Sequence, residues 1–223
     1  MDQRPTTFEF TVEAFVDPSS VRDVVRGILH TIFFHRFFPS VLPRTRDVLD
    51  LSLPYIDDAE LETLIDQRTT MLARQLEEEK TASMTGGGGG GGNNRGGGRG
   101  QIAVQFFEKR RRKAWYVMRA GDEEVCWECW TVKVTVAEPR SESGMLQFLL
   151  PAKSGPILIA TERAKVRQAM ESTLLAAVMK IVTSVNAHKD HIPPITTSEA
   201  NPFPYQINVN QKEAGWAARM GIY

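Results

Sequence analysis

The residues best suited to chemistry sit in one short stretch, Cys126-Trp-Glu-Cys129. C-x-x-C spacing serves a thiol–disulfide pair or half of a zinc site. A redox motif of this kind opens a helix, whereas these cysteines open Cys126–Val136, a run of tryptophan and β-branched residues that predicts a strand. Three residues along a strand put the two thiols about 10 Å apart on opposite faces. A disulfide needs Cα atoms within about 7 Å. No second C-x-x-C completes a zinc site. The spacing therefore predicts two structural thiols, unless the chain turns at Trp127-Glu128.

The four histidines point the same way. His30 and His35 are five apart on a helical segment, about 140° round, so they share no face. His188 and His191 follow a long apolar-periodic segment, where a cation suits a helix C-terminus. No H-E-x-x-H, G-x-S-x-G or P-loop pattern occurs, so no catalytic, metal or cofactor-binding residue is assigned. Lys+Arg and Asp+Glu both number 27, which removes any bulk attraction to nucleic acid. No run approaches 18 apolar residues and no signal core opens the chain, so a soluble, unsecreted protein is expected.

What remains is a recognition device. Ile102–Glu108 reads as a strand and is followed by five cations, Lys109, Arg110, Arg111, Arg112 and Lys113. Trp115, Tyr116 and Val117 come next, bounded by Arg119–Glu124 before the second strand begins. Aromatics enclosed by charge on both sides predict a protruding loop over about 109–124 with an exposed tip, held by two strands. The basic run has three readings: the solvated end of a strand, a nucleic-acid patch, or contact with anionic lipid by residues 109–113.

The remaining elements must hold that hairpin. Phe8–Val16 alternates, with Phe8, Phe10, Val12, Ala14 and Val16 on one face. Asp17-Pro18 predicts a helix start, and apolar spacing carries the helix to about His35. Asp47–Leu53 reads as one strand with Val48 out of phase, and Asp57 or Asp58 caps a helix over 59–80. Residues 86–100, of which eleven are glycine, predict a disordered Gly-rich loop. Met145–Leu150 and Ile157–Ala160 read as short strands, 161–187 as the longest helix, and Tyr205–Val209 as a last strand. Irregular alternation of strands and helices favours an α+β fold, with helices on one face of a mostly antiparallel sheet.

Gln101–Trp115, followed by Trp127-Glu-Cys-Trp-Thr-Val-Lys-Val134, resembles the autophagy-related protein 101 family. Gly27–Arg36 and Asp190–Glu199 are similar to its patterns too, and the likeness covers most of residues 8 to 209. It implies one HORMA domain over residues 1–223, a mostly antiparallel sheet backed by three helices, with no enzymatic activity and no cofactor. It implies pairing with the HORMA domain of autophagy-related protein 13, service to the autophagy-initiation kinase complex, and residence in the cytoplasm and at the preautophagosomal structure. Such pairs join through the long helix and the adjacent sheet, which directs attention to exposed positions on Thr161–Lys189. The family's WF finger, a Trp-x-Phe pair on a protruding loop, recruits downstream factors. Trp115 matches its tryptophan; Val117 stands at the Phe position, and Tyr116 is the nearest second aromatic. Peripheral membrane contact is compatible with this reading, and nucleic acid is not expected. A basic RNA- or lipid-binding module, using 109–113 and the Arg/Gly tract, is the rival.

Overall fold

The alternating segment Phe8–Val16 forms strand β1, and Val12, Ala14 and Val16 are buried on its inner face. A computed structural model describes residues 7–39, 42–85, 98–111, 122–137, 155–196 and 201–210. After β1 come α1 (Val21–Arg36), the strands β2 (Pro43–Val48) and β3 (Leu51–Ile56), and α2 (Ala59–Thr85). Then follow β4 (Arg99–Arg111), β5 (Asp122–Val136), α3 (Gly155–Ala187) and β6 (Tyr205–Val209).

The main sheet has the order β1-β5-β4-β6. β5 pairs antiparallel with β4, β4 antiparallel with β6, and β1 parallel with β5. The helices supply the apolar residues that complete the core: Ile28, Ile32 and Phe33 from α1, Leu61, Ile65 and Leu72 from α2, and Met170, Leu174 and Ile181 from α3. α3 also shields the outer edge of β1, where the Phe15 N–H donates to Thr173 Oγ1 at 3.3 Å. An edge strand covered in this way is blocked from pairing with another chain.

Several boundaries differ from the sequence reading, each for a local reason. Asp17 does not cap α1 directly; its Oδ1 accepts from the Ser20 N–H at 2.8 Å, closing a turn before the helix starts at Val21. Asp58 is the acid that caps α2, its Oδ1 accepting from the Leu61 N–H at 2.8 Å. The expected single strand over 47–53 is a hairpin: β2 and β3 meet in the pair Val48↔Leu51, and Leu49 turns at φ 54. That left-handed conformation is rare for leucine and explains why no turn signal was visible. Gly27 lets the hairpin lie close to α1, since a Cβ there would sit 2.9 Å from Leu53 Cδ1.

Ile157–Ala160 is not a strand; it lies inside α3, which begins at Gly155. A short apolar run fits either a strand or a buried helix segment, and continuity with the helix decided it. Met145–Leu150 lies outside the described residues. The Gly-rich segment ends earlier than expected. Arg99 and Gly100 are already in β4, and Gly100 packs so tightly under α2 that a Cβ would lie 2.8 Å from Leu72 Cδ1.

Candidate functional site

β4 and β5 are longer than the strands that flank them. β1 pairing on β5 begins at Phe8↔Glu128, and β6 pairing on β4 ends at Phe106↔Tyr205. At Phe107↔Cys126 both strands still have outer partners, the Phe107 N–H donating to the Pro204 carbonyl at 2.8 Å and Thr7 Oγ1 donating to the Cys126 carbonyl at 3.0 Å; β4 and β5 then continue alone through Glu108↔Val125, Lys109↔Glu124, Arg110↔Glu123 and Arg111↔Asp122. Four successive pairs make a two-stranded ribbon about 10 Å long beyond the sheet. It leads directly to residues 112–121. Trp115, Tyr116 and Val117, with Arg112 and Lys113, lie in that link, outside the described residues. Of the expected loop over 109–124, residues 109–111 and 122–124 are strand, and the rest lies outside the described residues.

The ribbon changes the meaning of the basic run. Lys109, Arg110 and Arg111 each stand across the ladder from an acid, Glu124, Glu123 and Asp122. Arg110 Nε also donates to Glu108 Oε2 at 2.7 Å. Opposite charges directly across a ladder stabilise it by about 0.2–1 kcal/mol per pair. In the register of the ladder, the described cations Lys109 and Arg110 thus have the acids Glu124 and Glu123 opposite them.

Where the ribbon leaves the sheet, β5 carries a bulge. The register shifts between Phe106 and Phe107, so that Trp127 is the extra residue. Simple alternation would point Trp127 and Trp130 to opposite faces; the bulge buries both. Trp127 packs against Phe203 at a centroid distance of 5.2 Å, and Trp130 stacks on Phe10 at 4.4 Å. Phe8, which keeps substantial exposure, stacks on His191 at 4.1 Å. These rings form an aromatic collar at the ribbon root.

Inside the collar lies a buried carboxylate, Glu128. Arg36 Nε donates to both of its oxygens, at 2.8 and 3.0 Å. His191 Nε2 donates at 2.6 Å, and Trp130 Nε1 donates as well. Arg36 is further held by the carbonyl of His35 at 3.1 Å. One side chain thereby joins the end of α1, the bulged strand and the loop after α3.

The thiols beside this cluster are not poised for chemistry. Burial, with the neighbouring Cys129, pushes the Cys126 thiol up to about 12. Burial and the nearby Glu9 push Cys129 up to about 11. Both are free thiols. Among the described residues, no group of three or more His, Cys, Asp or Glu side chains could hold a metal ion. No helix among them is long and apolar enough to cross a membrane.

A separate cavity of about 130 Å³ lies between α1 and the β2–β3 hairpin, lined in part by Arg26, His30, Arg46 and Tyr55. Its guanidiniums are already matched: Arg26 pairs with Glu62 and Asp66, and Arg46 lies 3.5 Å from Glu62 and 4.2 Å over the Tyr55 ring. Burial, then the Arg26 and Arg46 cations, lower the His30 pKa to about 4 against the opposing effect of Glu62. The cavity therefore reads as the wall of a structural ion cluster.

Residues 13–199 match the family model described as Autophagy-related protein 101. The chain belongs to the autophagy-related protein 101 family. Among curated relatives, it is similar to Autophagy-related protein 101 of Arabidopsis thaliana, 26% identical over 204 residues, covering 90% of this chain and 84% of the relative. It is similar also to Autophagy-related protein 101 of Schizosaccharomyces pombe, 25% identical over 209 residues, covering 93% and 90%. The matched span runs from within β1 to beyond α3 and includes the whole ribbon. Membership gives an autophagy-related role.

The sequence reading takes His191 for a cation at a helix C-terminus, whereas its ring meets Glu128, and it gives Glu128 and Arg36 no site role. A signal was present. Glu128 shares its parity with Trp130, Val132, Val134 and Val136, the inward phase of β5. A carboxylate on the core side of a strand demands a buried partner.

Proposed function

We propose that this chain is a non-enzymatic adaptor of the autophagy-initiation kinase complex with a HORMA fold. It pairs with the HORMA domain of autophagy-related protein 13 and stabilises it by binding the folded state. It works in the cytoplasm and at the preautophagosomal structure, and presents Trp115 and Tyr116 to downstream factors. The observation that carries this reading is the ribbon, which runs past both neighbouring strands and leads to the link holding those aromatics. Support for the pairing comes from α3, where Leu175 and Met179 are large exposed apolar side chains one helical turn apart.

Two measurements test it. Calorimetric titration with the purified HORMA domain of autophagy-related protein 13 should give a one-to-one complex; absence of binding overturns the pairing. Trp115→Ala with Tyr116→Ala should keep that complex but abolish autophagic flux in cells that rely on this chain. Normal flux in the double variant overturns the recruiting role of the tip.

A further inference from the structure

We propose that the base of the ribbon is a second contact for the partner recruited by its tip: a folded protein domain that straddles the ribbon and seats apolar side chains on Phe8 and Phe38. This deepens the reading of the tip as the recruiting element and rests on it.

A row of five rings crosses the sheet where the ribbon departs. Phe8 stacks on His191 at a centroid distance of 4.1 Å, and His191 lies 5.5 Å from Trp127. Trp127 lies 5.2 Å from Phe203, and Phe203 lies 5.2 Å from Phe38. The middle of the row is buried at Trp127 and Phe203, whereas its ends are open: Phe8 is 39% exposed and Phe38 37%. Phe8 belongs to β1, the neighbour of β5; Phe38 packs on Phe203, which leads into β6, the neighbour of β4. One exposed ring therefore stands on each side of the ribbon. Both are held in advance. The His191 ring behind Phe8 is fixed by its 2.6 Å bond to the buried Glu128, and Phe38 meets the buried Phe203 in a T-shaped contact. Anchors ordered before binding cost less entropy to engage.

Area decides what else the partner has to touch. Two aromatic side chains at the tip bury about 300–500 Å² between them. A stable interface takes about 800 Å² from each partner. The tip aromatics alone fall short, and the rest has to come from surface close to them. The ribbon beyond the last outer hydrogen bonds is about 10 Å long, whereas a small domain is about 30 Å across. A domain that grips the tip from the side therefore reaches the base, where it meets Phe8 and Phe38. Between those rings the ribbon turns Arg110, Glu123 and Glu124 to solvent, so the apolar anchors lie beside charged side chains. That mixture is the composition of contacts between separately folded proteins. Leu175 and Met179, by contrast, lie on α3, and Met71 lies on α2. Aromatic rings packed on one side and open on the other are the kind of side chain that carries binding energy.

Photo-crosslinking in cells that rely on this chain tests the shared seat. The crosslinker p-benzoylphenylalanine is placed singly at Tyr116, at Phe8, at Phe38 or, as a control, at Met71. Tyr116, Phe8 and Phe38 should yield an adduct with the same protein, identified by mass spectrometry. The two base positions should give at least about fivefold more of it than Met71. Adding Trp115→Ala with Tyr116→Ala should remove the adduct from Phe8 and Phe38. An adduct at Tyr116 without matching ones at the base overturns this inference and leaves the recruiting role of the tip standing. Base adducts that survive loss of the tip, or that contain only autophagy-related protein 13, overturn it as well. Absence of adduct at every position overturns both readings. Phe8→Ser with Phe38→Ser gives the functional readout: autophagic flux should fall at least about fivefold while the complex with autophagy-related protein 13 is retained. Unchanged flux in that folded variant also overturns the inference. The crosslinker keeps a ring at each position, so the test stands even where the serine variant unfolds.

Discussion

Arg36 Nε lies 2.8 Å from Glu128 Oε1, tying the last residue of α1 to the strand that carries the ribbon, with both side chains almost wholly buried. Arg36→Met alone leaves the carboxylate buried without its cation and should destabilise the fold by about 3–5 kcal/mol. Arg36→Met with Glu128→Leu should regain part of that loss. What stays lost, about 1–3 kcal/mol, reflects the Trp130 N–H left without an acceptor. Urea unfolding of the single and paired variants measures the coupling; simple additivity would contradict it.

His30 gives the fold a pH dependence. Its folded pKa of about 4 lies below the ordinary value of 6.5 because the ring is buried beside Arg26 and Arg46. Between these values the unfolded chain binds a proton that the folded chain refuses. Stability is therefore full above about 6.5 and falls as the pH drops toward 4, by on the order of 3 kcal/mol. His35, lowered first by burial and then by Arg36, acts in the same direction. His30→Gln should flatten the slope in this window, checked by chemical denaturation at a series of pH values.

Asp58 caps α2 through the Leu61 N–H. Asp58→Ala should cost about 1 kcal/mol, whereas Asp57→Ala should change stability by only a few tenths. Equal effects of the two would place the cap elsewhere.

The thiols should be slow. With pKa values of about 12 and 11, Cys126 and Cys129 are almost wholly protonated at pH 8. A disulfide-exchange reagent should label them only as the chain unfolds. Cys126→Ala with Cys129→Ala should retain autophagic flux; loss of flux with the fold intact would revive a redox role.

Leu175 and Met179 share an exposed face of α3. Leu175→Asp with Met179→Asp should leave the melting temperature nearly unchanged and weaken binding of the HORMA domain of autophagy-related protein 13 by at least about tenfold. Undiminished binding in calorimetry would move the interface off this face.

The sequence by itself determined the elements whose signals are local. Alternation placed β1, helical spacing found three helices among the described residues, the strand candidate Tyr205–Val209 matched β6, and the W-x-x-W-T-V-K-V strand pointed to the family. The β2–β3 turn at Leu49 was hidden because leucine is not a turn residue, and the start of α3 because Ile157–Ala160 suits a strand equally well. Only the tertiary structure decided what the central hairpin is. Periodicity cannot say how far neighbouring strands reach, so it could not show that β4 and β5 outrun β1 and β6. Nor could it show that Glu124 and Glu123 stand in register opposite Lys109 and Arg110. Arg36, Glu128 and His191 are far apart in the chain and meet only because the end of α1, the bulged strand and the loop after α3 converge on one buried point. Such a meeting is a property of packing, and no local pattern encodes it.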